Sequence, residues 1–522
     1  MIFIDLNKCD EKNITAKCDV CIIGAGAIGI YFANQLIRYG LEVILIEAGD
    51  KTCVDSESIG FKTEFASATY QGAIKGRFFG IGGTTASWGG VLVPHSNNDL
   101  RKEDSFTFNT WFSIIKTVRA ECKAVLTNLG WKKIDYIDTL FINKKNKISN
   151  IINESGLKLK SCLYLPFRKR NFVWMLNEKK IKKSNLKIFF NAVANGWNVK
   201  HNAIENQILY VNAICYNGTN LQITANKFVI AAGAIESARL LLELNQTKIY
   251  PVVRKSSAIG CYLADHLSLP IGVFDNNDIH TIIKLFAPHI YRGWMINYRF
   301  LDANLSQNLP RAFGHIIFNN ENQGFLLTKK ILSSIQAHKF PKISLKEIFQ
   351  GLNGIALLAY YRWIHSKLFI PPNTKTVFQL DIEQKPSKEN CIRLSNKTDK
   401  YGRVIPLIHW EVTETDIKNI NITSEKFLNK WNSQNKYLPK LVPNPLIFDN
   451  SKPYDAYHPT GTCRMGMDNE AVVDENLKVW GISNLWVLST GVLPSPGTAN
   501  PTFTILCLAE KLAKWFKKNK NI

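Results

Sequence analysis

The apolar and polar positions at the start of the chain fall into an ordered series. Residues 19–24 read D-V-C-I-I-G, an apolar run with β-branched members that predicts a buried strand. Residues 30–37 then repeat apolar side chains at helical spacing, and residues 41–47 form a second apolar run closing on an acid. Residues 227–231 predict another strand, which runs through a turn into a helix reaching 242. Residues 484–488 predict one more strand, and a closing helix is expected from 501 to about Trp515. No stretch reaches the roughly 18 apolar residues of a membrane span. The best candidate, residues 354–361, is short, runs into Arg362 and reads as a buried helix; the alternative is an amphipathic helix facing a membrane.

Between the first strand and the first helix stands Gly24-Ala25-Gly26-Ala27-Ile28-Gly29. Gly24 permits a tight turn, Gly26 lets the backbone approach a pyrophosphate, and Gly29 allows the helix to pack closely on the strand. The N–H groups around Ala27 and Ile28, at the helix N-terminus, suit an anion. Glu47 follows Gly29 by 18 residues, where a carboxylate accepts bonds from a ribose diol. Strand, glycine turn, helix, strand and acid together predict dinucleotide binding, without separating NAD from FAD. No second strand-linked G-x-G-x-x-G occurs, as an NAD-dependent reductase would need.

A chain of 522 residues exceeds what one hydrophobic core usually supports, so two domains are expected. The net charge of +23 could attract an acidic substrate or anionic lipid, and the basic runs lie at 179–183 and 514–518. No nucleic-acid-binding motif accompanies the lysines, so no nucleic-acid partner is expected. A weak, salt-dependent peripheral contact with membranes is expected, near the aromatic-basic segments around Tyr360 and Trp515. Eleven cysteines without framework spacing, and no signal-peptide pattern at the start, point to reduced thiols and a cytoplasmic location. Cys18 and Cys21 form a C-x-x-C, but residues three apart on a strand point to opposite faces, so no metal site is expected there.

Four further segments carry a family likeness. They are the glycine-dense loop 76–90, including Gly82-Gly83-Thr84-Thr85-Ala86-Ser87-Trp88; the Ala231-Ala232-Gly233 turn with Glu236; Tyr457-His458-Pro459-Thr460-Gly461-Thr462; and Gly497-Thr498-Ala499-Asn500-Pro501-Thr502. Asp265-His266 and the stretch from Asp381 to Pro386 add to them. In this order the segments resemble the glucose–methanol–choline (GMC) flavoprotein oxidoreductases, nearer the sugar- and cholesterol-oxidising branches. Residues of about 100–185 and 275–375 match nothing specific.

The resemblance implies an α/β protein with a Rossmann-like FAD-binding domain, a doubly wound parallel sheet, and a second α+β substrate-binding domain. Segments 1–100, 186–272 and 450–522 would build the first, 101–185 and 273–449 the second. It implies oxidation of an alcohol, a sugar or polyol first, by hydride transfer to flavin N5. His458 would be the general base, since histidine titrates near neutrality. Asn500 would be its partner, able to donate to the substrate oxygen but not to take the proton. Gly82, Gly83 and Thr84 would wrap the cofactor, Ala194 and Gly233 would lie at the adenine end, and Pro501 and Thr502 would open a helix aimed at the flavin. Ser489 stands where many members carry Asp. Covalent attachment elsewhere uses a histidine just before a tryptophan; here that residue is Ser87, so non-covalent FAD is expected. The alternatives are a flavin-binding partner protein without turnover and a sterol or lipid alcohol oxidase. The electron acceptor is left open.

Overall fold

The structure, a computed structural model, describes residues 2–101, 107–131, 147–177, 185–246, 252–253, 256–303, 309–444 and 454–520. The basic run 179–183 and the expected boundary at 450 lie outside the described residues. The first apolar run belongs to a longer strand, Asn13–Ile23, followed by the helix Ala27–Arg38 and the strand Val43–Ile46. These strands pair in parallel, with Val20 opposite Val43 and Ile23 opposite Ile46. Leu186–Phe190 extends the sheet beyond Val43–Ile46, and Ile2–Asp5 lies at that edge. On the other side Asn220–Ile230 pairs in parallel with Asn13–Ile23, and Leu485–Val487 follows it. Near-continuous apolar strands are what a parallel sheet covered on both faces requires.

Side-chain alternation shows what covers each face. Trp486 pairs with Val229 and meets Trp515 and Phe516 of the closing helix Pro501–Lys518. Phe516 also packs edge-on to Phe32 of the helix Ala27–Arg38, so both helices lie on that face. Phe228, one residue from Val229 and hence on the opposite face, meets Trp197 of the strand Val193–Lys200. That strand and Gln207–Ile214 form an antiparallel meander leading into Asn220–Ile230.

The second large sheet is antiparallel. It runs in the order Leu441–Pro443, His266–Phe274, Lys375–Glu383, Ala312–Asn319, Trp294–Asp302, Leu157–Tyr164, Val91–Leu92. The two unassigned regions of the sequence supply three of these seven strands, Leu157–Tyr164, Trp294–Asp302 and Ala312–Asn319. Its core is aromatic: Phe274, Phe286, Phe300 and Phe378 surround the buried ring of Trp431. The strand His266–Phe274 passes through the expected boundary at 272. The helix Phe108–Asn128, grouped by sequence with the substrate part, packs on Pro501–Lys518.

One sequence expectation changes here. Residues 354–361 are not a buried helix: all but the last end a helix, Leu345–Tyr360, whose apolar side chains are largely exposed. Trp515 is half-buried and packs at a tilt against Trp486. Cys18 and Cys21 are both buried, and all eleven cysteines are free thiols. Among the described residues, no helix is long and apolar enough to cross a membrane.

Candidate active site

Two cavities meet at Tyr457. The first, of about 270 Å³, runs along the C-terminal ends of the parallel strands, the edge at which such sheets bind ligands. Of the sequence candidates, Gly24, Gly26, Ala27, Ile28, Glu47, Gly83, Thr84, Ala194, Gly233, Ser489 and Thr502 line it. Gly29, Gly82 and Pro501 are not among its lining residues; they shape its wall from behind. A side chain on Gly29 would place its Cβ 2.0 Å from the Gly24 carbonyl oxygen, and one on Gly82 would meet Asn171. Pro501 is the first helical residue of Pro501–Lys518, where its missing N–H costs nothing.

The cavity suits FAD on features of its own. A Cβ built on Gly26 meets nothing within 4 Å, so the backbone there is open to a ligand. Gly26 also starts the helix Ala27–Arg38 with no side-chain cap, leaving the first N–H groups for an anion. The buried Ser489 hydroxyl has no hydrogen-bond partner among the described residues. Glu236, three residues after Gly233, is buried among Arg77, Arg239 and Arg403, which hold its carboxyl well below the usual carboxylate range against the cost of burial. Ala194 lies at a bulge in the pairing of its strand.

Glu47 makes contacts that the sequence did not reveal. Its carboxylate accepts from the N–H groups of Ala25 at 2.8 Å, Gly49 at 3.0 Å and Gly80 at 2.9 Å. The acid at the end of the second strand therefore ties the glycine turn to the loop that begins at Gly80. Burial raises its pKa despite those three donors.

The second cavity, of about 300 Å³, lies under the antiparallel sheet, and His458 and Asn500 both open on it. Four side chains and one carbonyl form a chain of hydrogen bonds in which every proton can be placed. His266 Nε2 lies 2.8 Å from the Gly497 carbonyl, which can only accept, so Nε2 carries the proton. Neutral His266 therefore presents a bare Nδ1 to His458 Nδ1 at 3.0 Å, and His458 must donate there. That leaves the lone pair of His458 on Nε2, 3.0 Å from Asn500 Nδ2. Asn500 cannot turn its amide over, because its Oδ1 accepts from the Arg299 guanidinium, which only donates. The chain thus fixes His458 as a neutral imidazole with a basic Nε2.

Burial, then His266, then Arg299 keep the His458 pKa well below its ordinary 6.5. Asp265 holds the backbone on which this rests. It accepts from the main-chain N–H groups of His458 and His266 and from the Tyr70 hydroxyl, and burial pushes its carboxyl up to about 8. Asp265, His266 and His458 bring potential metal ligands within 4.8 Å of one another, but the hydrogen bonds just described engage all three. Tyr457, one residue before His458, holds a left-handed φ of 61°, a strained conformation of the kind that gathers at functional sites.

Arg299 was missed by the sequence reading, as were Asn297, His315, Gln379 and Tyr454, which line the same cavity. Asn297 and Arg299 are two apart on the strand Trp294–Asp302 and so share a face. That alternation was the available signal, but nothing in the sequence said which face met the site.

A family model described as GMC oxidoreductase matches residues 386–509, the region that carries His458 and Asn500, and one described as FAD binding domain matches residues 17–65. Over residues 386–509 the chain is similar to the GMC oxidoreductases. It is 28% identical over 316 residues to a 2-methyl-1,2-propanediol dehydrogenase of Mycolicibacterium austroafricanum, covering 58% of the chain and 49% of the relative. It is 34% identical over 118 residues to a pyranose 2-oxidase of Tricholoma matsutake, covering 22% and 20%. The matched stretches span about half or less of these relatives' own lengths. Among solved structures, a pyridoxine 4-oxidase from Mesorbium loti superposes with a TM-score of 0.56 at 16% identity, over 96% of this chain and 99% of that one, a likeness of fold.

Proposed function

We propose that this chain is a GMC oxidoreductase that oxidises the CH–OH group of a sugar or polyol, with His458 taking the hydroxyl proton and Asn500 orienting the hydroxyl oxygen. The observation that carries this reading is the directed hydrogen-bond chain ending at His458 Nε2. An acceptor at Nε2 and a donor at Asn500 Nδ2, both opening on one cavity, complement a hydroxyl: one takes its O–H, the other donates to its oxygen. Bound FAD supplies the hydride acceptor. Gly26 to Ile28 with the helix N-terminus, Glu47, the loop at Gly83 and Thr84, and Ser489 would hold it.

The cavity wall favours a polyhydroxylated substrate over a sterol. Arg299 Nη1 and His315 Nδ1, on residues that line this cavity, have no hydrogen-bond partner among the described residues, and a fused apolar ring system would leave them unpaired at a cost of about 1–3 kcal/mol each. Anaerobic reduction of the bound flavin by a panel of sugars, polyols and sterols tests the assignment. Bleaching by at least one sugar or polyol is expected; bleaching by sterols alone would overturn it, and bleaching by no alcohol would support a partner protein without turnover.

The flavin is held without a covalent bond. No histidine or cysteine is among the described residues lining the first cavity, and Ser87 is exposed at the end of the short turn Gly83–Ala86. Acid precipitation of the holoenzyme is expected to leave the yellow colour in the supernatant; colour migrating with the denatured chain would identify a link, with Tyr457 the first residue to examine. Eleven free cysteines suit a reducing compartment, and we place the protein in the cytoplasm on that ground.

A further inference from the structure

Two helices, Gln323–Gln336 and Leu345–Tyr360, form a hairpin whose amphipathic character is inverted. An ordinary surface helix turns its apolar stripe inward. Leu345–Tyr360 turns its glycines inward instead. A Cβ on Gly354 would sit 2.8 Å from Gly324 N, and one on Gly324 would sit 2.4 Å from the Gly354 carbonyl carbon, so the helices meet backbone to backbone. The outward face carries Leu345, Phe349, Leu352 and Tyr360 at helical spacing, and Trp363 and Ile364 continue it past the helix end. Phe340 in the connection is 98% exposed, Trp363 76%, Leu345 74% and Phe349 73%. The helix is well formed: Ser344 and Glu347 make a capping box, and Lys330 pairs with Glu347 across the hairpin.

Charge identifies what meets this face. Residues 321–367 carry seven Lys and Arg against two Glu, with Lys339, Lys342, Lys346 and Arg362 exposed beside the apolar side chains. A second copy of the chain would bring two such basic faces together, at a repulsive cost. An anionic bilayer satisfies both features at once: its acyl boundary takes the aromatic and aliphatic side chains, and its headgroups pair with the lysines. A helix of 16 residues, about 24 Å long, suits a position in the interfacial plane.

We propose that this hairpin docks the protein peripherally on an anionic membrane surface. The docked face is tied to the active site through Gln336, whose side chain donates to the carbonyls of Thr85 and Trp88 in the loop beside the first cavity. The inference stands whether or not the proposed substrate class is right, because its readout is binding.

The test is co-sedimentation of the full-chain holoenzyme with phosphatidylcholine vesicles containing about one third phosphatidylglycerol. Wild type is expected to pellet at low salt and to release partly at high salt. Phe349→Ser combined with Trp363→Ser should lower partitioning by at least about tenfold. Lys339→Glu combined with Lys342→Glu should lower it on anionic vesicles and leave the low binding to pure phosphatidylcholine unchanged. All four side chains are exposed, and unchanged flavin content and melting temperature verify that the variants remain folded. Wild-type partitioning by both double variants overturns the proposal. So does a wild-type dimer that Phe349→Ser with Trp363→Ser converts to monomer, without vesicle binding by either, since the face would then belong to a second copy.

Discussion

Replacing His458 by Ala leaves FAD bound and slows anaerobic flavin reduction by about two to four orders of magnitude, the range a positioned general base supplies. Cofactor retention follows from the layout. His458 opens on the second cavity, whereas the residues placed to hold the cofactor line the first. The loss of rate follows from proton placement. With His266 donating to the Gly497 carbonyl, His458 Nε2 is the one bare nitrogen facing the cavity in this chain of bonds, and Asn500 has no proton acceptor of comparable basicity. The wild-type profile has a sign that follows from the depressed pKa. In the proposed role His458 works when unprotonated, and it protonates only well below 6.5, so reduction should be level through neutral pH and fall on the acid side. Stopped-flow reduction of the wild type and the variant measures both; wild-type rates in the alanine variant would remove His458 from the chemistry.

What the sequence revealed and what it withheld divide along physical lines. Asn13–Ile23, Ala27–Arg38 and Val43–Ile46 were legible because a parallel sheet buried on both faces demands continuous apolar runs and its glycine turn tolerates few substitutes. His458 and Asn500 were legible through a resemblance carried by local motifs, not through spacing. The strand order of the antiparallel sheet was hidden because its strands come from distant parts of the chain, among them Leu157–Tyr164 and Lys375–Glu383. Residues that line the second cavity from those strands alternate with core residues, and local pattern does not say which face becomes a site. The hairpin misled for a related reason. Its apolar spacing reads as a core helix, and only the packing of Gly324 against Gly354 shows that the glycines took the inner face.

Arg299 is the residue on which the two halves of the site depend, and its replacement by Met should change both the rate and the pH profile. Arg299 is 6% exposed, its Nη1 has no hydrogen-bond partner among the described residues, and it bonds Asn500 through Nη2. It lies over the ring of Phe313 at 3.8 Å. Its influence is of two opposing kinds. By fixing the Asn500 amide it aims a donor at the place a substrate oxygen would occupy, and its charge favours negative charge growing there. The same charge disfavours a protonated His458 and is one of the causes that hold that pKa down. Geometry decides between them: the contact with Asn500 is direct, whereas the effect on His458 acts through space behind burial and His266. The net expectation is slower reduction in Arg299→Met, by about 10- to 150-fold, the equivalent of the roughly 1.5–3 kcal/mol of a hydrogen bond to a charged group. The acid limb should move upward toward 6.5, because removing a neighbouring cation makes protonation of His458 easier. Arg299→Lys separates the two effects. It keeps the charge, so the acid limb stays near that of the wild type, but it loses the planar fork that holds Asn500, so the rate remains depressed. Arg299 is then a positioning residue. A packing role alone would lower stability without moving the acid limb, and an unmoved limb in Arg299→Met, together with an unchanged rate, would remove it from the mechanism.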